Sequence, residues 1–229
     1  MNSIFSIIIT NYNNSKLIDR AIRSIDNQQI SSNFALTIET IIVDDGSTDN
    51  PKLWLKKYNG LKNKKIIYLK KNRGVAYASN IGIKKSTGNI VMRVDADDFI
   101  SPTLVSLCND TLLHNKNISY VYTDLFQVDD YGNKIRYIKR DSFSNLLLYG
   151  AGCAIRKKAI EKVGYYNNEY KNCEDMDLII RLKNHKYRGL YLPLPYYRYY
   201  KTSKSLTQSN TRKKMIEYME SKWNLKLEK

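Results

Sequence analysis

Two groups of acids stand where carboxylates do chemistry. Asp44-Asp45-Gly46-Ser47-Thr48-Asp49 follows the apolar run Ile38-Glu39-Thr40-Ile41-Ile42-Val43, and Asp95-Ala96-Asp97-Asp98 follows Ile90-Val91-Met92-Arg93-Val94. Both runs read as buried strands, rich in β-branched residues. Carboxylates at the C-terminal ends of parallel strands line the crevice where open α/β sheets bind ligands. Acids gathered there repel one another unless a cation or a donor-rich ligand joins them. A divalent metal with a nucleotide diphosphate meets that need, because Mg2+-type sites take one or two carboxylates plus phosphate oxygens. The second group is the sharper signal: Asp95 and Asp97 flank one small residue and can turn toward one crevice. The first group also reads as an ordinary turn with a helix cap.

Two further segments carry candidates. Asn72-Arg73-Gly74 opens a stretch holding Ala76, Ala78, Asn80 and Gly82. Its helix N-terminus offers N–H groups to an anion or a base, although small residues also serve tight helix–sheet packing. Glu174-Asp175-Met176-Asp177 opens another helix. Acids in a first turn complement the helix dipole. A carboxylate on so rigid an element would equally suit a general base.

The elements that must position these residues alternate. Strands are predicted over 5–10, 37–43, 65–69 and 90–94. Helices are predicted after Ser15 as N-cap, from Pro51 to about Tyr58, and from Val75 to about Lys85. Such alternation predicts an α/β fold with a parallel sheet and right-handed crossovers. The second half is more mixed. A helix runs from Pro102 to about His114, strands cover 119–124 and 133–138 around the turn Asp129–Asn133, and a short strand covers 151–155. A helix then ends at Gly164, another covers 175–184, a strand over 187–200 is interrupted by Pro193 and Pro195, and a basic amphipathic helix covers 211–223. The whole is read as one domain.

Composition narrows the class. The apolar fraction is 42% over 229 residues, enough for a real core. No apolar run reaches the roughly 18 residues of a membrane span, and the first residues lack signal-peptide features. Cys108, Cys153 and Cys173 are odd in number and lack metal spacing, which points to a reducing, cytoplasmic compartment. His114 and His185 form no zinc motif. The formal charge of +16 suits nucleic acid, polyphosphate substrates, anionic lipid or simply a solvated surface. No nucleic-acid motif accompanies it.

Taken in order, these motifs resemble glycosyltransferase family 2 on a GT-A fold. They are Ser6-Ile7-Ile8-Ile9-Thr10-Asn11-Tyr12-Asn13, Val43-Asp44-Asp45-Gly46-Ser47-Thr48-Asp49, Asn72-Arg73-Gly74, Asn80-Ile81-Gly82, Asp95-Ala96-Asp97-Asp98 and Glu174-Asp175. The resemblance runs from Phe5 to about Thr207. It implies a single GT-A domain over 1–207: a mostly parallel, Rossmann-like nucleotide-binding sheet flanked by helices (about 1–100) and a smaller mixed acceptor-side subregion (about 101–207). The helix of 208–229 follows. It implies inverting transfer of a sugar from a nucleotide-sugar, with Mn2+ or Mg2+, to a glycan or lipid-linked acceptor. Thr10, Tyr12, Asp45, Asn72, Gly74, Asn80 and Asp95 would bind nucleotide, with Asp45 accepting from a base such as uracil. Asp97 would hold the metal. Gly152, Cys153 and Glu174 would meet donor sugar or acceptor, and Asp175 would be the catalytic base.

Two departures stand out. The family usually has Arg where this chain has Ser79, so Arg73 or Arg93 would supply the basic contact. Many members carry a late His where this chain has Thr202, and Lys201 or Lys204 would then face the diphosphate. The departures leave a donor-binding pseudoenzyme open, and the charge leaves a basic nucleic-acid-binding protein open. A nucleotidyltransferase is disfavoured, because Asn11-Tyr12-Asn13-Asn14 holds no glycine. Met215, Ile216, Met219 and Trp223 share one flank of the last helix beside Arg212, Lys213, Lys214 and Lys222. That pattern suits either peripheral contact with the inner face of a membrane or docking on the protein's own core.

Overall fold

The computed structural model describes residues 3–30, 35–201 and 210–227. Its first half is built on four parallel strands: β1 (Ser3–Asn11), β2 (Leu36–Asp44), β3 (Lys64–Tyr68) and β4 (Ile90–Asp95), in the order β3-β2-β1-β4. β1 lies inside this sheet and is covered on both faces, which is why its sequence is a continuous apolar run. Phe5, Ile7 and Ile9 feed one core while Ile8 feeds the other. Helix α1 (Ile18–Asp26) closes the first face with Ile18, Ala21, Ile22 and Ile25. Helix α3 (Val75–Lys85), which follows α2 (Pro51–Leu55) in sequence, closes the second with Ala76, Ala78 and Ile83.

Register then brings the acids together. Thr10 sits beside Asp95, and Asn11 sits beside Asp44. The carboxyl ends of β2 and β4 therefore finish level on either side of β1.

The second half is mixed, as expected. It runs through β5 (Phe99–Ile100), α4 (Leu104–His114), β6 (Tyr120–Val128), β7 (Lys134–Ile138), α5 (Phe143–Leu148), β8 (Ala154–Arg156), α6 (Lys157–Lys162), α7 (Glu174–Asn184), β9 (Gly189–Tyr200) and α8 (Asn210–Trp223). β8 runs antiparallel to both β4 and β6 and so splices the two halves into one nine-stranded sheet. β9 pairs parallel with β6.

Several expectations change. Ser15 is not the N-cap of α1: its backbone N–H and hydroxyl both donate to Asp49, at 2.8 and 2.7 Å, and the helix starts at Ile18. The short strand begins at Ala154 rather than 151, because Gly152 turns the chain at φ +70°. Pro193 and Pro195 do not break β9. The ladder skips there, passing from Thr123–Leu192 to Asp124–Pro195, so the missing proline N–H groups fall at an irregularity. Helix α5 was not foreseen; its six residues are too few to show a period.

The apolar flank of the last helix docks on the protein's own core. Met219 is fully buried, and Met215, Ile216 and Trp223 pack on the same second core. Arg212 Nη2 donates to the Leu148 carbonyl at 2.6 Å, and Lys222 Nζ donates to the Tyr170 hydroxyl. Among the described residues no helix is long and apolar enough to cross a membrane.

Candidate active site

At the end of β2 the acids are held by nearby donors. Asp44, buried, accepts from Asn11 Nδ2 at 2.7 Å, from the Ser47 hydroxyl at 2.6 Å and from the Ser47 N–H at 3.1 Å. Asp49 takes the two donors of Ser15 described above. Asp45, also buried, points across to the N-terminus of α3. Its two oxygens accept from Arg73 N and Gly74 N, both at 2.8 Å. Burial, with Asp44 alongside, raises the Asp45 carboxyl above its ordinary range despite those two bonds. Tyr12 and Asn72 are exposed beside this junction, and Gly74 takes φ +92° ahead of α3.

The end of β4 is different. Asp98 is fully enclosed and accepts from the Tyr197 hydroxyl at 2.6 Å and Tyr200 N at 2.8 Å. Burial, with Asp97 and Asp95 nearby, lifts its carboxyl well above the usual range. Asp95 is half-buried, accepts from Thr10 Oγ1 at 3.2 Å, and pairs with Arg93 Nε at 3.2 Å. Among the described residues no side chain donates to the Asp97 carboxylate. Burial, with the Asp95 charge beside it, pushes Asp97 up to about 7. Arg20 steadies this turn: its Nη2 donates to the Asp97 carbonyl at 2.8 Å, and its guanidinium lies 4.7 Å from the Phe99 ring centroid and 5.2 Å from that of Tyr200.

Arg93 links the two halves. It is buried, and its Nη1 donates to Glu174 at 2.7 Å while its Nε faces Asp95. Glu174 is therefore neutralised from β4 rather than facing solvent. Cys173 precedes it at φ +61°, a left-handed conformation that non-glycine residues hold at a cost, often near functional sites.

Asp175 and Asp177 separate cleanly. Asp177 is buried and paired with Arg181 Nε at 2.7 Å. Asp175 lines a small pocket with Arg93, Gly152, Cys153, Tyr166 and Leu178. Its Oδ1 accepts from Met176 N at 2.8 Å. Its Oδ2 lies against Gly150: a Cβ on that glycine would sit 2.5 Å away. Gly152 is held as closely, since a Cβ there would meet the Tyr197 ring at 2.3 Å. Burial pushes the Cys153 thiol up to about 11, which leaves it a poor nucleophile. All three cysteines are free and buried.

The structure thus brings Thr10, Asp45, Asp95 and Asp97 to the carboxyl ends of β1, β2 and β4, with Gly74 at the facing N-terminus of α3 and Gly152, Cys153, Glu174 and Asp175 across Arg93. Asn80 stands apart from them. Its amide donates to the Tyr166 carbonyl at 2.8 Å and to Asn168 at 2.9 Å, and accepts from Tyr166 N at 3.0 Å. Ser79 is buried and bonds back to the Val75 carbonyl at 2.7 Å. Arg73 is exposed over the Tyr77 ring, and Lys201 is half-buried after β9. Thr202 and Lys204 lie outside the described residues.

Sequence reasoning missed Arg20, Gly150 and Arg140. Arg140 is fully buried and donates to the Thr123, Tyr149 and Ala151 carbonyls, fixing the loop that carries Gly150 and Gly152. Nothing in Tyr137-Ile138-Lys139-Arg140-Asp141 marks that role; only the fold delivers it.

Among the described residues no cluster of three or more His, Cys, Asp or Glu converges as a self-sufficient metal cage. Asp95 and Asp97 fit the other kind of site, in which a hard cation takes one or two carboxylates and completes its shell with phosphate oxygens and water. The raised Asp97 carboxyl is the observation behind that fit: an acid beside a like charge gains from a cation.

A parallel nucleotide-binding-type half, a mixed second half spliced through an antiparallel strand, and acids at the strand ends define the GT-A class of fold. The chain belongs to glycosyl transferase family 2, whose family model matches residues 6–164. It is 28% identical to the chondroitin synthase of Escherichia coli over 185 residues, which is 78% of this chain and 26% of that protein. It is 34% identical over 124 residues to the minor teichoic acid biosynthesis protein GgaB of Bacillus subtilis, covering 53% of this chain and 13% of GgaB. The chain thus spans about a quarter or less of those relatives. S. aureus TarS 1-349 in complex with UDP-GlcNAc shares its fold, with a TM-score of 0.73 at 22% identity, over 90% of this chain and 60% of that one. A mannosyltransferase from Pyrobaculum calidifontis in complex with GDP-Man and Mn2+ gives 0.71 at 17% identity, over 90% and 59%.

Proposed function

We propose that this chain transfers a sugar from a nucleotide-sugar, most simply a UDP-sugar, to a hydroxyl of a glycan or lipid-linked acceptor, with inversion. The observation that carries the reading is Asp97, buried beside Asp95 with no side-chain donor of its own among the described residues, across Arg93 from Asp175. In this reading Thr10, Tyr12, Asp45, Asn72, Gly74 and Asp95 line the nucleotide site. Each Asp45 oxygen keeps a lone pair beyond its backbone bond, enough to accept the imide N–H of uracil. Asp97, with Asp95 alongside, would hold Mn2+ or Mg2+, which when bound stabilises charge on the departing diphosphate. Asp175 takes the acceptor hydroxyl proton. Glu174, fixed by Arg93, and the Gly152–Cys153 turn position donor sugar or acceptor beside it. Asn80 serves by tying α3 to the loop before α7.

The relatives' printed roles, chondroitin synthesis and teichoic acid biosynthesis, favour polysaccharide assembly and a hexose or N-acetylhexosamine donor. A screen of UDP- and GDP-sugars for slow hydrolysis with Mn2+ tests the reading. Hydrolysis of one donor that a chelator stops is expected. Donor binding without any turnover, with or without an acceptor glycan, would instead favour a pseudoenzyme.

A further inference from the structure

We propose that the edge formed by α2 and β3 docks on an anionic lipid surface. From Pro51 to Val94 the chain holds no acid at all, while Lys52, Lys56, Lys57, Lys62, Lys64, Lys65, Lys70 and Lys71 fall within it. The helical segment 51–58, which ends in a 3-10 turn, turns Pro51, Leu55 and Tyr58 inward. Its outward face leaves Leu53 72% exposed and Trp54 38% exposed. Leu61, 44% exposed, follows in the turn that leads into β3. Large apolar side chains of α2 and of the turn after it are thus displayed among lysines next to the outermost strand of the sheet, since β3 pairs with β2 alone.

Charge decides what could cover them. Asp19 and Asp26 of α1 reach this edge and are taken by Lys57 and Lys64. Lys52 lies over the Tyr68 ring. Among the described residues Lys56, Lys62, Lys65, Lys70 and Lys71 have no acid within ion-pair distance, so the face is left positive. A second copy of this chain would bring the same positive face, and lysines on an open edge strand oppose strand addition. A soluble polyanion would satisfy the cations but not Leu53, Trp54 and Leu61. An anionic bilayer satisfies both: Trp and Leu seat at the headgroup level while lysine stems lie along the interface. Each lysine held at such a surface strengthens binding by about fivefold. β3 leads directly to Arg73 and Gly74, whose N–H groups hold Asp45, so docking there would set the crevice beside the membrane. This surface is distinct from α8 and stands independently of the transferase reading.

The test uses the full chain with Trp223→Phe, which leaves Trp54 as the reporter, and phosphatidylcholine vesicles with or without phosphatidylglycerol. Co-sedimentation should need phosphatidylglycerol, and Trp54 emission should shift to the blue on binding. Lys62→Glu with Lys65→Glu should weaken binding by about tenfold or more. Leu53→Ser with Trp54→Ser, followed by co-sedimentation of the otherwise native chain, should weaken it most at high salt, where charge is screened. Lys213→Glu with Lys214→Glu on α8 should leave it unchanged. Equal binding to both vesicles, or a loss confined to the α8 pair, would overturn the proposal. So would affinity for polyphosphate with no vesicle binding.

Discussion

At the end of β2, Asp44 and Asp49 are held by Asn11, Ser47 and Ser15, and Asp45 receives two backbone N–H groups. At the end of β4, Asp98 is enclosed in that way by Tyr197 and Tyr200, and Asp95 takes Thr10 and Arg93. Asp95 and Asp97 face each other's charge, and Asp97 rises to about 7. One strand end therefore braces loops and, in the proposed reading, presents a single acid to a base. The other leaves Asp97 without a side-chain donor among the described residues and, in the same reading, presents it with Asp95 to a cation. The contrast recurs in α7, where Asp177 belongs to Arg181 and Asp175 belongs to the pocket. Acids of the same type at the same kind of strand end differ in what holds them, and the proposed roles follow that difference.

The largest expected effect breaks or upholds the α7 half of this comparison. Asp175→Asn keeps size and removes the proton acceptor. Turnover should fall by roughly 10²–10⁴ with UDP binding intact. Near-normal turnover with saturating donor and acceptor would remove Asp175 from the chemistry.

Asp44→Ala sharpens the β2 half. It leaves the buried Asn11 amide without its nearest acceptor and should lower stability by about 1–3 kcal/mol in denaturant titration. A stability equal to that of the parent would mean that the bracing is dispensable. Asp177→Asn should be milder, about 1 kcal/mol through the weakened Arg181 pair and helix dipole, with turnover nearly unchanged.

The smallest effect is a pH dependence at Glu39. Burial alone would raise this carboxyl, but bonds from the Ser6 hydroxyl and from Thr87 and Gly88 N–H outweigh it and hold it low. A lowered folded-state value stabilises above the unfolded value, here the ordinary 4.5, and is lost as pH falls through the folded one. Thermal melts from neutral to acid pH should therefore drop less in Glu39→Gln than in the parent. Parallel curves would contradict the assignment.

Much of this was legible in the sequence because period and punctuation agree with the fold. The β1 run, the Ile18–Ile25 spacing and the Val75–Lys85 helix needed no tertiary information. Both strand-end acid groups were legible for the same reason. What each acid does was not, because its donors come from far along the chain: Tyr197 lies 99 residues from Asp98, and Glu174 lies 81 from Arg93. Ser15 misled for a related reason. A serine before a helix reads as a cap, but Asp49 offered it a stronger, charged acceptor.

Melting the protein with UDP, in Mn2+ or in chelator, tests the central claim most directly, since a ligand that binds only the folded state raises stability. UDP should raise the melting temperature more with Mn2+. Asp97→Ala should erase that increment, while Asp44→Ala should lower the baseline and keep it. An increment that survives Asp97→Ala, or that vanishes in Asp44→Ala, would contradict the division of labour between the two strand ends.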